Sequence, residues 1–173
     1  MLRTMNARPF NGMRPDIGAR CWIDPAAVII GDVTVGPESS VWPGAVLRGD
    51  SGAIRVGART SVQDGAIVHC TSAHDTVIGD NCTIGHRAHL EGCTVEDECL
   101  IGSGSVVLHR VVVRTGALVG AQALVTNDTE VPSGALALGV QMLAGHPEFT
   151  YYTGLVMGLY AAARLVHALV VRR

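Results

Sequence analysis

Aromatic side chains are scarce in this chain, at 4% of 173 residues, and charged ones are few, at 16%. The shortage of rings excludes a wide, aromatic-filled core and favours a narrow one built from Val, Ile, Leu, Ala and Cys. The formal net charge is −2 and no basic stripe runs along the sequence, which excludes nucleic acid as the expected partner. No CxxC pair occurs among Cys21, Cys70, Cys82, Cys93 and Cys99, and an odd number of thiols suits a reducing compartment. Arg3, Arg8 and Arg14 stand near the start without an apolar h-region, so a cytoplasmic location is expected; the arginines leave a transit peptide open. The apolar C-terminal stretch is broken by Arg164 and His167, so a membrane span is not expected, despite the GxxxG spacing of Gly154 and Gly158.

What the chain does have is a period of six. Apolar residues recur at Val35, Val41 and Leu47, at Val56, Val62 and Val68, and at Ile78, Ile84 and Leu90. They continue at Val95, Ile101 and Val107, and then at Val113, Val119, Val125 and Val131. Neither a helix nor a simple strand has this period, whereas three six-residue faces close one triangular turn of a parallel β-helix. The fold class is therefore all-β, a parallel β-helix of hexapeptide repeats, with a C-terminal α-helix added. Residues 1–16 read as an N-terminal arm and 17–140 as the β-helix domain. Pro147 and a three-to-four-residue apolar spacing from Phe149 to Val170 predict a helix over 147–172, packed on the solenoid or on a neighbouring subunit. Extra residues between Leu47 and Val56, and between Val68 and Ile78, predict loops protruding from one corner. Cys82 and Cys99 fall where the repeat wants a small residue and read as buried structural thiols.

The period also places side chains in space, because equivalent residues of successive coils stack about 4.8 Å apart. Arg48, His69 and Glu91 each follow the third apolar position of a coil and should form one outward column. Asp64 and His86 each stand two residues after a second position and should stack on a different part of the triangle. A symmetric trimer apposing the two columns would bring His86 of one subunit to His69 and Glu91 of the next. Two imidazoles and a carboxylate suit a metal that keeps one position open. Solvent-facing or hydrogen-bonded histidines are the plainer reading of the same columns. His109, His146 and His167 read as ordinary surface or packing residues.

At these positions the sequence resembles the γ-class carbonic anhydrases. The resemblance lies in Val46-Leu47-Arg48-Gly49-Asp50, Ser61-Val62-Gln63-Asp64-Gly65, Val68-His69, and Ile84-Gly85-His86 running to Leu90-Glu91-Gly92-Cys93. Pro9-Phe10-Asn11-Gly12 and Ile101-Gly102-Ser103-Gly104-Ser105 add to it. It implies a left-handed β-helix, a homotrimer with a metal at each interface, and reversible hydration of carbon dioxide to bicarbonate. His69 and His86 match two of the family's three histidine ligands, while Glu91 stands where the third would be. Glu91 binds the metal directly, or His89 substitutes for it, or the site has lost its metal and its activity. Zn2+ is the expected ion, and Fe2+ and Co2+ suit the same donors. A carboxylate ligand makes bound water less acidic, which predicts slow hydration at neutral pH. The resemblance further gives Gln63 a hydrogen bond to hydroxide or bicarbonate, and makes Arg48, Asp50 and Asp64 the polar network at the interface. For these last three a purely structural ion-pair role stands equally open. The competing readings are a hexapeptide acyltransferase with His74 as general base, and a non-catalytic assembly scaffold of the same fold.

Overall fold

The computed structural model describes residues 6–137. The helix expected over 147–172 lies outside the described residues. Two-residue strands such as Ser61–Val62, Thr83–Ile84 and Leu100–Ile101 pair in parallel with their counterparts one coil away. One face is a seven-stranded sheet running from Trp22–Ile23 to Leu136–Ala137. The other two faces join into a twelve-stranded sheet, because the strands Val28–Val35 and Val46–Val56 run through a corner without stopping. The result is a parallel β-solenoid of hexapeptide repeats, and among the described residues no helix occurs.

The six-residue period becomes three interior columns. Ile29, Leu47, Val68, Leu90 and Val107 stack on one side, each fully buried. Val41, Val62, Ile84, Ile101 and Val119 form the second, and Val35, Val56, Ile78, Val95, Val113 and Val131 the third. Small side chains fill the corners between them, including Ser39, Thr60, Cys82, Cys99 and Ala117 in one register. Cys82 and Cys99 are thus buried at small-residue positions, as expected.

Two segments differ from the sequence reading. The surplus between Leu47 and Val56 takes the form of a bulge within the eleven-residue strand Val46–Val56: Asp50–Ala53 stand opposite the single residue Asp32, between the pairs Gly31–Gly49 and Val33–Ile54. The backbones approach so closely there that a Cβ on Gly31 would stand 2.1 Å from the Gly49 carbonyl oxygen. Within the segment read as an arm, Ala7–Arg8 and Asp16–Ile17 form short strands on Val28–Val35. The insertion around 70–75 does form a loop, closed by the Thr71 amide donating to the His74 carbonyl.

Candidate metal centre

The parallel register converts sequence offsets into contacts. Arg48 pairs with His69, and His69 with Glu91, on three successive coils. Along this column runs one polar chain. Arg48 forms an ion pair with Asp50, whose Oδ1 lies 3.0 Å from Nε2 of His69. Nδ1 of His69 lies 3.1 Å from Oε1 of Glu91, and the other Glu91 oxygen lies 3.4 Å from Nε2 of His89. Burial acts to raise the Asp50 pKa, but hydrogen bonds from His69 and Arg48 outweigh it and hold the carboxyl below its ordinary value. Glu91 behaves alike: burial acts to raise it, while His69, His89 and the charge of His109 hold it low. Both carboxylates are accordingly acceptors at neutral pH.

Backbone contacts fix this corner. Thr76, fully buried, donates its hydroxyl to the His69 carbonyl and accepts the Gly92 amide at 2.8 Å. One side chain thereby links the residue that carries the imidazole to the residue that follows Glu91. The loop's Asp75 accepts the Ala53 amide at 2.7 Å, which seats the insertion against the preceding coil.

The second predicted column is a separate pair on the far corner of the face. Nδ1 of His86 lies 3.1 Å from Oδ2 of Asp64, and both side chains are half exposed. Gln63 is part-buried beside Asp64, its backbone bonded to Ile84 and Ala66. The structure therefore gathers Arg48, Asp50, His69, Glu91 and His89, and keeps Gln63, Asp64 and His86 apart from them. Between the corners, His89 interrupts an outward column that is otherwise apolar, comprising Val46, Ile67, Val106 and Leu124. Ile67 and Leu124 are 37% and 50% exposed.

Two further histidines enter the site: His109, which the sequence reading set aside, and His74, which it gave only as the general base of an acyltransferase. Nε2 of His109 is buried without a hydrogen-bond partner and lies 3.7 Å from Oε1 of Glu91. His74 lies beside it, ring centroids 6.2 Å apart, and its Nε2 accepts from the Arg110 guanidinium at 3.3 Å. The signal was present in the register. Val106 and Val107 stack on His89 and Leu90, which places 108 under Glu91 and His109 at the next corner.

The donors suit a zinc-type ion. An imidazole nitrogen and a carboxylate oxygen stand side by side, a second carboxylate holds the other ring nitrogen, and a buried nitrogen is unpartnered close by. As placed, no three His, Cys, Asp or Glu side chains among the described residues surround a common point. His69 faces an acceptor-only carboxylate at each ring nitrogen, Asp50 at Nε2 and Glu91 at Nδ1.

Fold and column together define a hexapeptide-repeat solenoid with a histidine–carboxylate corner. The model of the family described as bacterial transferase hexapeptide (six repeats) matches residues 14–49 and 75–109. Gamma carbonic anhydrase 1, mitochondrial, of Arabidopsis thaliana is 47% identical over 126 residues, covering 69% of this chain and 46% of the plant protein. The chain thus spans about half the length of that relative. Protein YrdA of Escherichia coli is 37% identical over 139 residues, with 76% of each chain covered. Among solved structures, a hexapeptide transferase family protein from Anaplasma phagocytophilum shares 40% identity at a TM-score of 0.75, covering 80% of this chain and 81% of the other. A putative acetyltransferase from Bacillus cereus shares 34% identity at a TM-score of 0.76, with 77% of each covered. The chain belongs to the hexapeptide-repeat family that includes protein YrdA and the Anaplasma phagocytophilum protein, and the γ carbonic anhydrases are among its relatives.

Proposed function

We propose that this protein is a γ-carbonic-anhydrase-like metalloenzyme that hydrates carbon dioxide reversibly to bicarbonate, working as a homotrimer. The observation that carries this reading is the stack of Arg48, His69 and Glu91 on successive coils, with Asp50 bonded to His69 at the same corner. His69 and Glu91 of one subunit, with His86 of a neighbour, would hold the ion. A bound Zn2+ supplies a Lewis acid that makes water nucleophilic near neutral pH. The chain's own groups do the rest. Asp50 fixes His69 through Nε2, and Arg48 holds Asp50 in turn. Asp64 accepts at Nδ1 of His86 and thereby directs that ring's Nε2 outward, away from its own chain. Gln63, beside Asp64, offers an amide to hydroxide or to bicarbonate oxygen. The apolar column of Val46, Ile67, Val106 and Leu124 between the two corners is the surface a neighbouring subunit would cover, excluding water from the site.

A hexapeptide acyltransferase is the second reading, favoured by the likeness to the Bacillus cereus protein. It needs His74 as a free base. Nε2 of His74, however, is already engaged by the Arg110 guanidinium at 3.3 Å. The anhydrase reading is tested by elemental analysis of dialysed protein, sedimentation equilibrium, and stopped-flow hydration of carbon dioxide. The expected result is a trimer with about one zinc per chain and slow hydration that His69→Ala and His86→Ala each abolish together with the metal. A protein that takes up no metal, even on reconstitution, overturns it.

A further inference from the structure

We propose that His89 is a positioning residue of the same centre: it holds one oxygen of Glu91, so that the carboxylate offers an ion only the other oxygen and one position stays open for water. The inference rests on the metal reading above and places His89 beside the donors rather than among them.

Its basis is the division of the two carboxylate oxygens. Nδ1 of His69 lies 3.1 Å from Oε1 of Glu91, whereas Nε2 of His89 lies 3.4 Å from Oε2. His109 faces Oε1 as well, at 3.7 Å, beyond hydrogen-bond length. Among the described residues, Oε2 thus has His89 as its one side-chain partner. Glu91 is ionised at neutral pH, because the hydrogen bonds of His69 and His89 outweigh the effect of burial on its pKa. An ionised carboxylate only accepts, so the proton between the pair sits on Nε2 of His89. That nitrogen is thereby withheld from an ion, which needs a deprotonated donor.

The strand makes this pairing local. Residues 89 and 91 stand two apart on the strand His89–Glu91, so both side chains leave the same face while Leu90, fully buried, points into the core. In the parallel register His89 lies between Ile67 and Val106 of the adjoining coils, and both offer only hydrocarbon. Among the described residues, Glu91 is accordingly the only side chain within hydrogen-bond reach of the His89 ring. The His89 amide donates to the Ser105 carbonyl at 2.8 Å, which fixes the backbone beneath the ring.

A carboxylate can bind a metal through one oxygen or through both. With Oε2 held by His89, Glu91 supplies a single donor. Together with His69 and with His86 of a neighbour it makes three protein ligands, which leaves the fourth position of a tetrahedral ion to water. An imidazole at residue 91 would need no such partner, since it presents one nitrogen at a time. The histidine at 89 is therefore the companion that a carboxylate at 91 requires.

The test uses the full-length protein with Zn2+ or Co2+ alone. In two-bond 1H–15N spectra of the wild type, Zn2+ is expected to shift a His69 ring nitrogen to the metal-bound range. His89 should stay out of that range and keep its proton on Nε2. With Co2+, the wild type should show the strong visible absorption of a four-coordinate ion. His89→Ala should lose much of it as the carboxylate closes with both oxygens, and His89→Gln, whose amide still donates, should retain it. A His89 nitrogen in the metal-bound range, a proton absent from its Nε2, or a His89→Ala spectrum equal to the wild type's overturns this inference and leaves the metal reading intact. A wild type that takes up neither ion overturns both. The Zn2+ spectra need only the wild-type protein, so they decide the question even where the alanine variant fails to fold.

Discussion

Replacing Thr76 by valine keeps the volume of a fully buried side chain and removes one hydroxyl. That hydroxyl donates to the His69 carbonyl and accepts the Gly92 amide at 2.8 Å. Losing the first bond costs about 0.5–1.5 kcal/mol, and leaving the buried Gly92 amide without a partner costs about 1–3 kcal/mol. The expected destabilisation is therefore about 2–4 kcal/mol. Thr76→Ser is the control, because it keeps both bonds and loses one methyl, worth about 1 kcal/mol. Valine, the more apolar replacement, should thus be the worse one. Urea unfolding at fixed protomer concentration, with metal removed by chelator throughout, measures both differences without linkage to assembly or to ion binding. The two bonds also tie the backbone of His69 to that of Gly92, so Thr76→Val should weaken Zn2+ binding while Thr76→Ser leaves it near the wild-type value. A valine variant as stable as the serine variant would refute the reasoning.

Asp50 and Glu91 are both held below their ordinary values of 3.8 and 4.5. A carboxyl depressed in the folded state adds stability that is complete above the ordinary value and drains as pH falls through the folded one. Metal-free wild type should therefore lose stability more steeply on acidification than Asp50→Asn or Glu91→Gln, and parallel curves would contradict this. Burial pushes the Cys82 thiol up to about 11 and the Cys93 thiol up to about 12, while Cys21 is only part-buried. Alkylation of the native protein near pH 8, followed by peptide mass mapping, should modify Cys21 first and Cys93 only on unfolding. Equal rates at the two would rule out the packing described for Cys93.

The sequence reached far into this site because a parallel solenoid has so little freedom in register. Once the interior positions Leu47, Val68 and Leu90 are assigned, the residues after them must stack, and Arg48, His69 and Glu91 do. Asp64 and His86 follow by the same rule from Val62 and Ile84. The rule fails where the coil length changes. The surplus between Leu47 and Val56 predicts a protruding loop, whereas the chain takes it up as a bulge opposite Asp32 inside a continuous strand. The coil of Glu91 is one residue short between Leu90 and Val95, and Gly92 at that corner lets the His109 ring of the next coil approach Glu91. Contacts across a shortened corner depend on an absent Cβ at Gly92, and no column of equivalent positions records that. A carboxylate at residue 91 is tolerable on this corner because imidazoles at 69, 89 and 109 face it from three successive coils. Glu91→His would set a fourth imidazole among those three and remove the carboxylate that faces all of them, leaving Asp50 to His69 alone. It should therefore lower the stability of the metal-free protein, however well the new donor set suits zinc.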